Sequence, residues 1–388
     1  MHFALVIPEL HKRGGTERCT ADLAEALVRR GHRFTIFAHH RDRAVLPGSR
    51  WHRVPMLPRP HLPRFFSFLV AQTFARALAR MRGERFDLVL CTGPDVLRPH
   101  ISVFHCSAAA FAELATDESQ QVHASKLSRV RRWTSRLTYR AIACVEEQVA
   151  SRGAQRAIAI SNHLKNEFGR LHGAHAAQMK VLPDGVDLLE FYPRGIQARL
   201  RVRRELDIEP QDKAVLFVGH NWLRKGLPTL AKAIARDEDD RLVLVVAGMG
   251  DKQARSEISE QLGTRVRFVG TWARMAELYA AADVLVLPTL HEPFGLPVLE
   301  AMACGLPVIV SRSAGVAELI THGIDGLLLS DPRDPAEVAQ LLRRLLVDSL
   351  LRQTLAANAR HRAQQFSWDA LAADFEAIAD DAARRPRR

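Results

Sequence analysis

Two glutamates stand eight positions apart in the stretch HEPFGLPVLEAMACGLPVIVS, which covers residues 291–311. Glu292 lies in a segment rich in glycine and proline, whereas Glu300 falls about one turn into the helix that the following residues predict. Pro297 fits the first turn of that helix, because the N–H group that proline lacks would have no intrahelical acceptor there. A carboxylate in such a loop and a second one at a helix start are candidates for ligand binding.

The start of this predicted helix has the features of an anion site. Phe294, Gly295 and Leu296 would present N–H groups without intrahelical acceptors at the positive end of the helix dipole. Glu300 could accept hydrogen bonds from the vicinal hydroxyls of a ribose, as the acidic residue of dinucleotide folds does. Glu292 would lie on the other side of the phosphates. The pattern therefore predicts a site for a nucleoside-diphosphate sugar, the alternative being a helix-end glutamate and a surface glutamate.

Two cations follow another predicted strand. Arg224 and Lys225 come shortly after AVLFVG, which ends at Gly219. Cations at the carboxyl end of a strand can neutralise a diphosphate as it departs. We therefore add Arg224 and Lys225 as catalytic candidates and Gly219 as a binding candidate, with a solvated surface pair as the alternative.

The first half of the chain offers weaker candidates. Gly14 and Gly15, in KRGGTER, would let a loop approach a bound phosphate or sugar closely, although the loop lacks the dinucleotide pattern G-x-G-x-x-G. His105 closes the apolar run HISVFH, and a lone histidine in that position is more often structural. No group of carboxylates or histidines has the spacing of metal ligands, so we expect no metal.

Strands alternate with helices along the whole chain. The first half opens with an apolar run, a glycine loop, an amphipathic helix and a second apolar run, which together form one βαβ unit. Short, continuously apolar runs, typical of strands covered on both faces, recur at 86–92, 100–105, 156–161, 214–220, 241–248, 266–270, 283–288 and 307–311. The sequence therefore predicts an α/β fold with two doubly wound parallel-sheet domains, residues 1–183 and 184–366, and a helix at about 367–388 that packs back on the first.

Composition excludes several classes of protein. The chain has 388 residues, of which 47% are hydrophobic, so we expect a globular protein of two domains and no disordered chain. No run of 18 apolar residues predicts a membrane span, and the first residues, MHFALVIPEL, lack the basic region of a signal peptide. The five cysteines are scattered without a C-x-x-C pair, which favours reduced thiols, a cytoplasmic location and no zinc site.

The positive charge lies entirely in the first half. Residues 1–185 contain 28 Lys and Arg against 15 Asp and Glu, whereas residues 186–388 contain 27 against 28. The stretch KLSRVRRWTSRLTYR (126–140) has six basic residues, no acid and two aromatic residues, which suits the interface of an anionic membrane. The stretch 58–82 is a second candidate for this peripheral attachment. Solubility and the binding of single-stranded nucleic acid are the alternatives.

The motif around the two glutamates, HEPFGLPVLEAMACGLPVIVSRSAGVAELITHGIDGLLL, resembles the E-x7-E signature of retaining GT-B glycosyltransferases, a group that includes glycogen and sucrose synthases. VLPDGVDLLEFYP is similar to the linker of that family, with Asp184 where asparagine is usual. FVGHNWLRKGL resembles its phosphate motif, with His220 where arginine is usual, and looks most similar to lipopolysaccharide core glucosyltransferases. The resemblance covers most of residues 180–370.

This resemblance implies two Rossmann-like domains that face each other across a cleft, with the nucleotide sugar on the C-terminal domain and a glycan or glycolipid acceptor on the N-terminal one. It implies transfer with retention, without a metal or other cofactor, with Glu292, Lys225, Arg224 and His105 as the catalytic candidates. A UDP-sugar and a role in cell-envelope glycan synthesis, such as that of lipopolysaccharide, are favoured. The alternatives are a GT-B epimerase or phosphorylase and a basic nucleic-acid-binding protein. The neutral second half, which carries the motif, argues against nucleic acid.

Overall fold

A computed structural model describes residues 1–114, 126–153, 156–237, 239 and 241–384, and of residues 126–133 and 152–153 it describes the backbone alone. The chain divides into two compact units. The first unit comprises Met1–Gly185 with Trp368–Arg388, and the second unit comprises Val186–Ser367.

The first unit is built on a seven-stranded sheet in which all neighbouring strands are parallel. Its strands, with the short pair β2 and β4 beside it, are β1 (His2–Val6), β2 (Glu9–Leu10), β3 (Arg33–Ala38), β4 (His40–Arg41), β5 (Arg50–Arg53), β6 (Leu88–Thr92), β7 (Ile101–Phe104), β8 (Arg156–Ala159) and β9 (Lys180–Val181). The sheet order is β5-β3-β1-β6-β7-β8-β9. Strands such as β6 are buried along their whole length, which is why their sequences are continuously apolar.

Helices connect these strands, as parallel neighbours require. They are α1 (Gly15–Arg29), α2 (His61–Met81), α3 (Ala108–Leu114), α4 (Lys126–Gln148) and α5 (Asn162–His172). The basic stretch 126–140 lies in α4, and the side chains of Arg129, Arg131, Arg132 and Trp133 lie outside the described residues. Tyr139 is half-buried, and its ring stacks on Phe111 of α3 with the centroids 5.7 Å apart. This aromatic side chain is therefore engaged within the first unit.

The second unit repeats the design with six parallel strands. Its elements are α6 (Ile196–Glu205), β10 (Lys213–Val218), α7 (Leu227–Ala235), β11 (Leu242–Ala247), α8 (Lys252–Leu262), β12 (Val266–Gly270), α9 (Met275–Ala281), β13 (Val284–Leu287), α10 (Leu296–Ala303), β14 (Val308–Ser311), β15 (Leu327–Leu329), α11 (Pro335–Val347) and α12 (Ser349–Gln364). The strand order is β12-β11-β10-β13-β14-β15.

The last helix, α13 (Trp368–Arg384), belongs to the first unit although it follows the second along the chain. Its apolar face, including Phe375, is buried, and Asp369 accepts hydrogen bonds from the guanidinium of Arg29 at the end of α1. Among the described helices, none is long and apolar enough to cross a membrane.

Candidate active site

The point at which the strand order reverses in the second unit lies between β10 and β13. The strand β10 pairs with β11 on one side and with β13 on the other, and all three run in parallel. Open α/β sheets bind ligands beyond the carboxyl ends of the strands at such a point. The loops after β10 and β13 are the two that the sequence marks, because they carry Lys225 and Glu292.

Three charged side chains meet between these loops. The Nζ of Lys225 lies 2.8 Å from Oε2 of Glu292, and the nearest guanidinium nitrogen of Arg224 lies 3.6 Å from the same oxygen. Arg224 also donates to the backbone carbonyl of His291, and its Nε has no acceptor among the described residues. Two cations therefore surround one carboxylate, so the group keeps a net positive charge that suits a diphosphate.

Glu292 is ionised in this arrangement. Its burial alone would raise the pKa of the carboxyl, but the charges of Lys225 and Arg224 outweigh that effect and hold the pKa below its ordinary value. A carboxylate that stays charged at neutral pH can accept hydrogen bonds from sugar hydroxyls. Each of the three charged side chains can therefore give up part of its contact with the other two and bind a ligand instead.

Gly219 makes room for the lysine. It follows β10, and a Cβ atom at this position would collide with the Cδ of Lys225, which folds back over the glycine. The next residue, His220, stands where the resembled family has arginine, and its Nδ1 accepts a hydrogen bond of 3.0 Å from the N–H of Met249. Gly219 is therefore buried beneath the candidate phosphate-binding lysine rather than open to a ligand itself.

The loop after β13 is fixed by hydrogen bonds to both of its neighbours. The N–H of Leu290 donates to the carbonyl of Arg224 at 2.8 Å. Ser311, the last residue of β14, and Ser313 each donate a hydroxyl to the carbonyl of Thr289 at 2.6 Å. The loop is thus tied to the β10 loop on one side and to the β14 loop on the other, which positions Glu292 before any ligand arrives.

The N-terminus of α10 has backbone N–H donors without intrahelical acceptors, as the sequence predicts. Gly295 is the residue before the helix and has φ 115°, a value that favours glycine. The N–H groups of Phe294, Gly295 and Leu296 have no acceptor within the part of the chain that the structure describes. The Phe294 side chain is 3% exposed, so its contribution is the backbone donor and not the ring. These donors stand at the positive end of the helix.

Glu300 lies one turn inside α10 and is 5% exposed. Its Oε2 accepts a hydrogen bond of 2.6 Å from the hydroxyl of Tyr279, on α9. This hydrogen bond fixes the orientation of the Glu300 carboxylate. Tyr279 was not among the residues that the sequence marked, because a tyrosine in an apolar helix gives no signal of its partner.

Replacing Glu300 by alanine should weaken the binding of a free nucleoside diphosphate by about 10- to 100-fold, since charge-assisted hydrogen bonds to the ribose are lost. Tyr279→Phe removes the tyrosine hydroxyl but leaves the carboxylate, so we expect a smaller loss. Isothermal titration calorimetry of UDP against the three proteins measures both effects. An unchanged affinity in Glu300→Ala would exclude the ribose role.

In the first unit, Gly14 and Gly15 stand at the start of α1. Gly14 has extended backbone before the helix, and Gly15 is its first residue. The carboxylate of Glu17 lies over Gly14, in the space that a Cβ atom would need. A negative charge at this place disfavours phosphate and favours a hydroxyl donor. The loop therefore suits a sugar better than the phosphate that the glycines alone also allowed.

His105 follows β7, and its side chain is 8% exposed. Its Nε2 lies 3.4 Å from Oδ1 of Asp184, and its Nδ1 has no hydrogen-bond partner among the described residues. Cys19 completes a group whose ligand-type atoms all lie within 4.8 Å of one another. Burial and the charge of Asp184 raise the pKa of the Cys19 thiol well above its ordinary value, so the thiol keeps its proton. The three residues line a cavity of about 20 Å³, enough for about one water molecule.

Two family models match the chain one after the other. The model described as Glycosyltransferase Family 4 matches residues 13–189, and the model described as Glycosyl transferases group 1 matches residues 199–362. The crystal structure of WaaG, a glycosyltransferase involved in lipopolysaccharide biosynthesis, superposes with a TM-score of 0.76 over 99% of this chain and 100% of its own, at 23% identity. The chain is a group 1 glycosyltransferase with the GT-B fold.

Further relatives of this group 1 glycosyltransferase agree. An uncharacterized glycosyltransferase of Methanocaldococcus jannaschii is 29% identical over an alignment that covers 96% of each chain. The D-inositol 3-phosphate glycosyltransferase of Xylanimonas cellulosilytica is 34% identical over 255 residues, 63% of this chain and 61% of that relative. The crystal structure of Anabaena HepE in complex with UDP-glucose has a TM-score of 0.74 at 22% identity, over 98% of this chain and 99% of its own.

The group 1 glycosyltransferase contains contacts that its sequence did not reveal. The hydroxyls of Ser311 and Ser313 follow an ordinary strand, and nothing in their spacing indicates that they fix the carbonyl of Thr289. Cys19, His105 and Asp184 are far apart along the chain, so motif spacing could not bring them together. Their atom types are those that bind transition metals, whereas the sequence predicted no metal, and that prediction stays a prediction.

Proposed function

We propose that this enzyme transfers a hexose, from a UDP-sugar in preference to other nucleotide sugars, to a glycan or glycolipid acceptor with retention of configuration and without a metal. The observation that carries the proposal is the position of the Lys225–Glu292 pair. It lies at the reversal of the strand order in the second unit, between the loop after β10 and the loop that leads to the N-terminus of α10. Cations and free N–H donors in one place suit a diphosphate leaving group.

Each residue has one role in this proposal. Lys225, Arg224 and the N–H groups at the start of α10 bind the diphosphate, and Glu300 binds the ribose. Glu292, which is already ionised, exchanges part of its contact with Lys225 for hydroxyls of the donor sugar. The name of the superposed HepE structure, which holds UDP-glucose, supports the choice of UDP and of a hexose.

The reaction follows from these contacts. The bond between the anomeric carbon and the diphosphate oxygen breaks, and the leaving oxygen gains charge that Lys225 and Arg224 stabilise. The acceptor hydroxyl attacks the same face of the sugar, and its proton passes to the departing phosphate oxygen. We assign His105 to the reacting sugar, which is the role that the family resemblance implies for a histidine of the first unit.

We assign the nucleotide sugar to the second unit and the acceptor to the first. The positive charge of the first half and the basic stretch 126–140 support peripheral attachment to the anionic cytoplasmic face of the cell membrane, where a glycolipid acceptor would lie. A role in lipopolysaccharide or other cell-envelope glycan synthesis is supported by the likeness to WaaG and by the resemblance of FVGHNWLRKGL to lipopolysaccharide core glucosyltransferases.

A thermal-denaturation screen with UDP-, GDP- and ADP-sugars tests the donor. A ligand at 100 times its Kd stabilises the folded state by about 2.7 kcal/mol, which raises the melting temperature by roughly 5 °C or more in a unit of this size. We expect the shift with UDP-sugars and with UDP itself, and the same shift in the presence of EDTA.

A transfer assay with the donor so identified tests the reaction. Sugar should appear on an added glycan or glycolipid with the anomeric configuration of the donor, and EDTA should leave the rate unchanged. Epimerised nucleotide sugar without transfer would contradict the proposal, as would a loss of activity in EDTA that Mg²⁺ or Mn²⁺ restores. Inverted product would reject retention alone.

A further inference from the structure

The helix α2 has two faces with opposite surroundings. Its inner face, which includes Phe68, Leu69 and Ala79, is buried, and Phe68 and Ala79 join the core cluster below the sheet strands β1, β3 and β6. This face holds the helix in place. Residues on the outer face therefore contribute little to the fold.

The outer face carries a row of large apolar side chains. Phe66, Val70, Phe74, Leu78 and Met81 follow one another at intervals of four, four, four and three residues, which places them on one side of a helix. Their exposed fractions are 39%, 54%, 72%, 46% and 84%. Soluble proteins seldom leave such a continuous apolar row in water unless it binds something. A shallow groove along the row is extended by Pro63, in the first turn of α2, and by Pro55 and Leu57, which precede the helix.

The surroundings of this row are positively charged. Residues 43–83 contain eight arginines and no aspartate or glutamate. Arg53, which lines the groove, Arg59 and Arg82 are exposed and form no ion pair with any residue that the structure describes. The nearest acid along the chain, Glu84, is paired with Arg50 at 2.9 Å. The partner of the apolar row must therefore offer apolar surface with negative charge at its edge.

We propose that the outer face of α2 docks on a lipid bilayer with anionic headgroups, where Phe74 and its neighbours enter the acyl boundary and Arg53, Arg59 and Arg82 bind lipid phosphates. A helix with one apolar face and cationic edges lies in such an interface. The proposal deepens the membrane attachment proposed above and rests on it for the presence of a lipid surface. It gives the attachment an apolar contact that 126–140, a mainly basic stretch, does not provide.

A second copy of the chain is the competing occupant. A twofold interface places the same patch of both subunits face to face, so the arginines around the row would meet the arginines of the other copy. Like charges at an interface oppose association. A bilayer instead brings negative charge to the arginines and hydrocarbon to the row, so it satisfies both features of the surface.

Co-sedimentation with vesicles of phosphatidylcholine, alone or with phosphatidylglycerol, tests this docking without any need for activity. We expect the wild-type protein to bind the anionic vesicles. Phe74→Ser with Met81→Ser should lower the partition coefficient by at least about tenfold, since the two side chains lose their burial in hydrocarbon. Arg53→Gln with Arg59→Gln and Arg82→Gln should lower it by a similar factor, and less so at high salt.

Val347→Ser with Leu350→Ser is the matched control, because these apolar residues of the second unit are 79% and 73% exposed. It should bind vesicles as the wild type does, and all variants should show the wild-type melting temperature and UDP shift. Equal vesicle binding by the wild type and Phe74→Ser/Met81→Ser overturns the proposal, and so does a dimer in light scattering that this variant abolishes.

A variant with Arg129, Arg131, Arg132 and Arg136 changed to Gln separates the contribution of 126–140. Failure of the UDP shift in every protein would contradict the proposed function and leave this inference untouched.

Discussion

Replacing Lys225 by alanine should lower the turnover number by about 100- to 1000-fold, with little change in KM. The Nζ of Lys225 stands at the carboxyl end of β10, 2.8 Å from Glu292 and beside a second cation. The charge on the diphosphate increases as the glycosidic bond breaks, so a cation in this place stabilises the transition state more than the bound donor. Removal of a comparable preorganised donor costs a factor of this size in other enzymes.

The same substitution also affects the fold, which the measurement must separate. Lys225 is 9% exposed, and its loss leaves the buried carboxylate of Glu292 with only Arg224 nearby. Breaking a buried pair from one side can cost up to about 3–5 kcal/mol. The double variant Lys225→Ala/Glu292→Gln removes the uncompensated charge, so it should recover most of the stability while its turnover stays low.

Steady-state kinetics with the donor at saturation, together with thermal denaturation, check this prediction. Lys232→Ala, an exposed lysine of α7 in the same unit, is the control and should behave as the wild type. If Lys225→Ala raises KM and leaves the turnover number unchanged, the lysine binds the ground state and transition state equally, and its catalytic role is refuted.

Replacing Asp95 by asparagine should stabilise the protein at pH 8 by up to about 4 kcal/mol and have almost no effect at pH 4. Burial raises the pKa of the Asp95 carboxyl to about 7; the hydroxyl of Thr92 opposes this rise and the charge of Glu17 adds to it. The residue is 8% exposed and follows β6 in the first unit. The fold therefore favours the protonated, neutral form of this carboxyl up to about pH 7.

The direction of the pH dependence follows from the two states. Below about pH 4 the carboxyl is protonated in both the folded and the unfolded chain, so it contributes no difference. Between about pH 4 and pH 7 the unfolded chain ionises it while the folded protein keeps the proton, and the free energy of unfolding falls as the pH rises. Above pH 7 both forms are ionised and the loss is complete. Asparagine is neutral throughout, so the variant lacks this loss.

Urea denaturation of the wild type and Asp95→Asn between pH 4 and pH 8.5 measures the difference at each pH, in which the contributions of all other groups cancel. Asp374→Asn, on the exposed side of α13 in the same unit, provides the matched control and should give a difference that does not change with pH. A constant difference in Asp95→Asn as well would show that the folded protein does not hold this carboxyl neutral.

The strands could be predicted because their residues are buried on both faces and so form continuous apolar runs. The runs predicted at 86–92, 214–220 and 283–288 correspond to β6, β10 and β13, with bounds that agree within two residues. Five strands were missed for the opposite reason, and two of them, β2 and β4, have only two residues each. The edge strand β5 has the polar sequence RWHR, β9 has two residues, and β15 has three leucines without a distinctive context. Edge position and short length remove the signal on which the prediction depends.

The sequence by itself determined the α/β class, the family and the loops that carry the candidate site, because these depend on local runs and on a motif within a few tens of residues. The order of the strands was decided only by the tertiary structure. Local sequence does not encode which strands become neighbours, and it is the pairing of β10 with β13 that brings Lys225 to Glu292. The contact of Glu300 with Tyr279, the raised pKa of Asp95 and the exposed face of α2 have the same origin. Each depends on what surrounds a side chain, and burial is a property of the assembled fold.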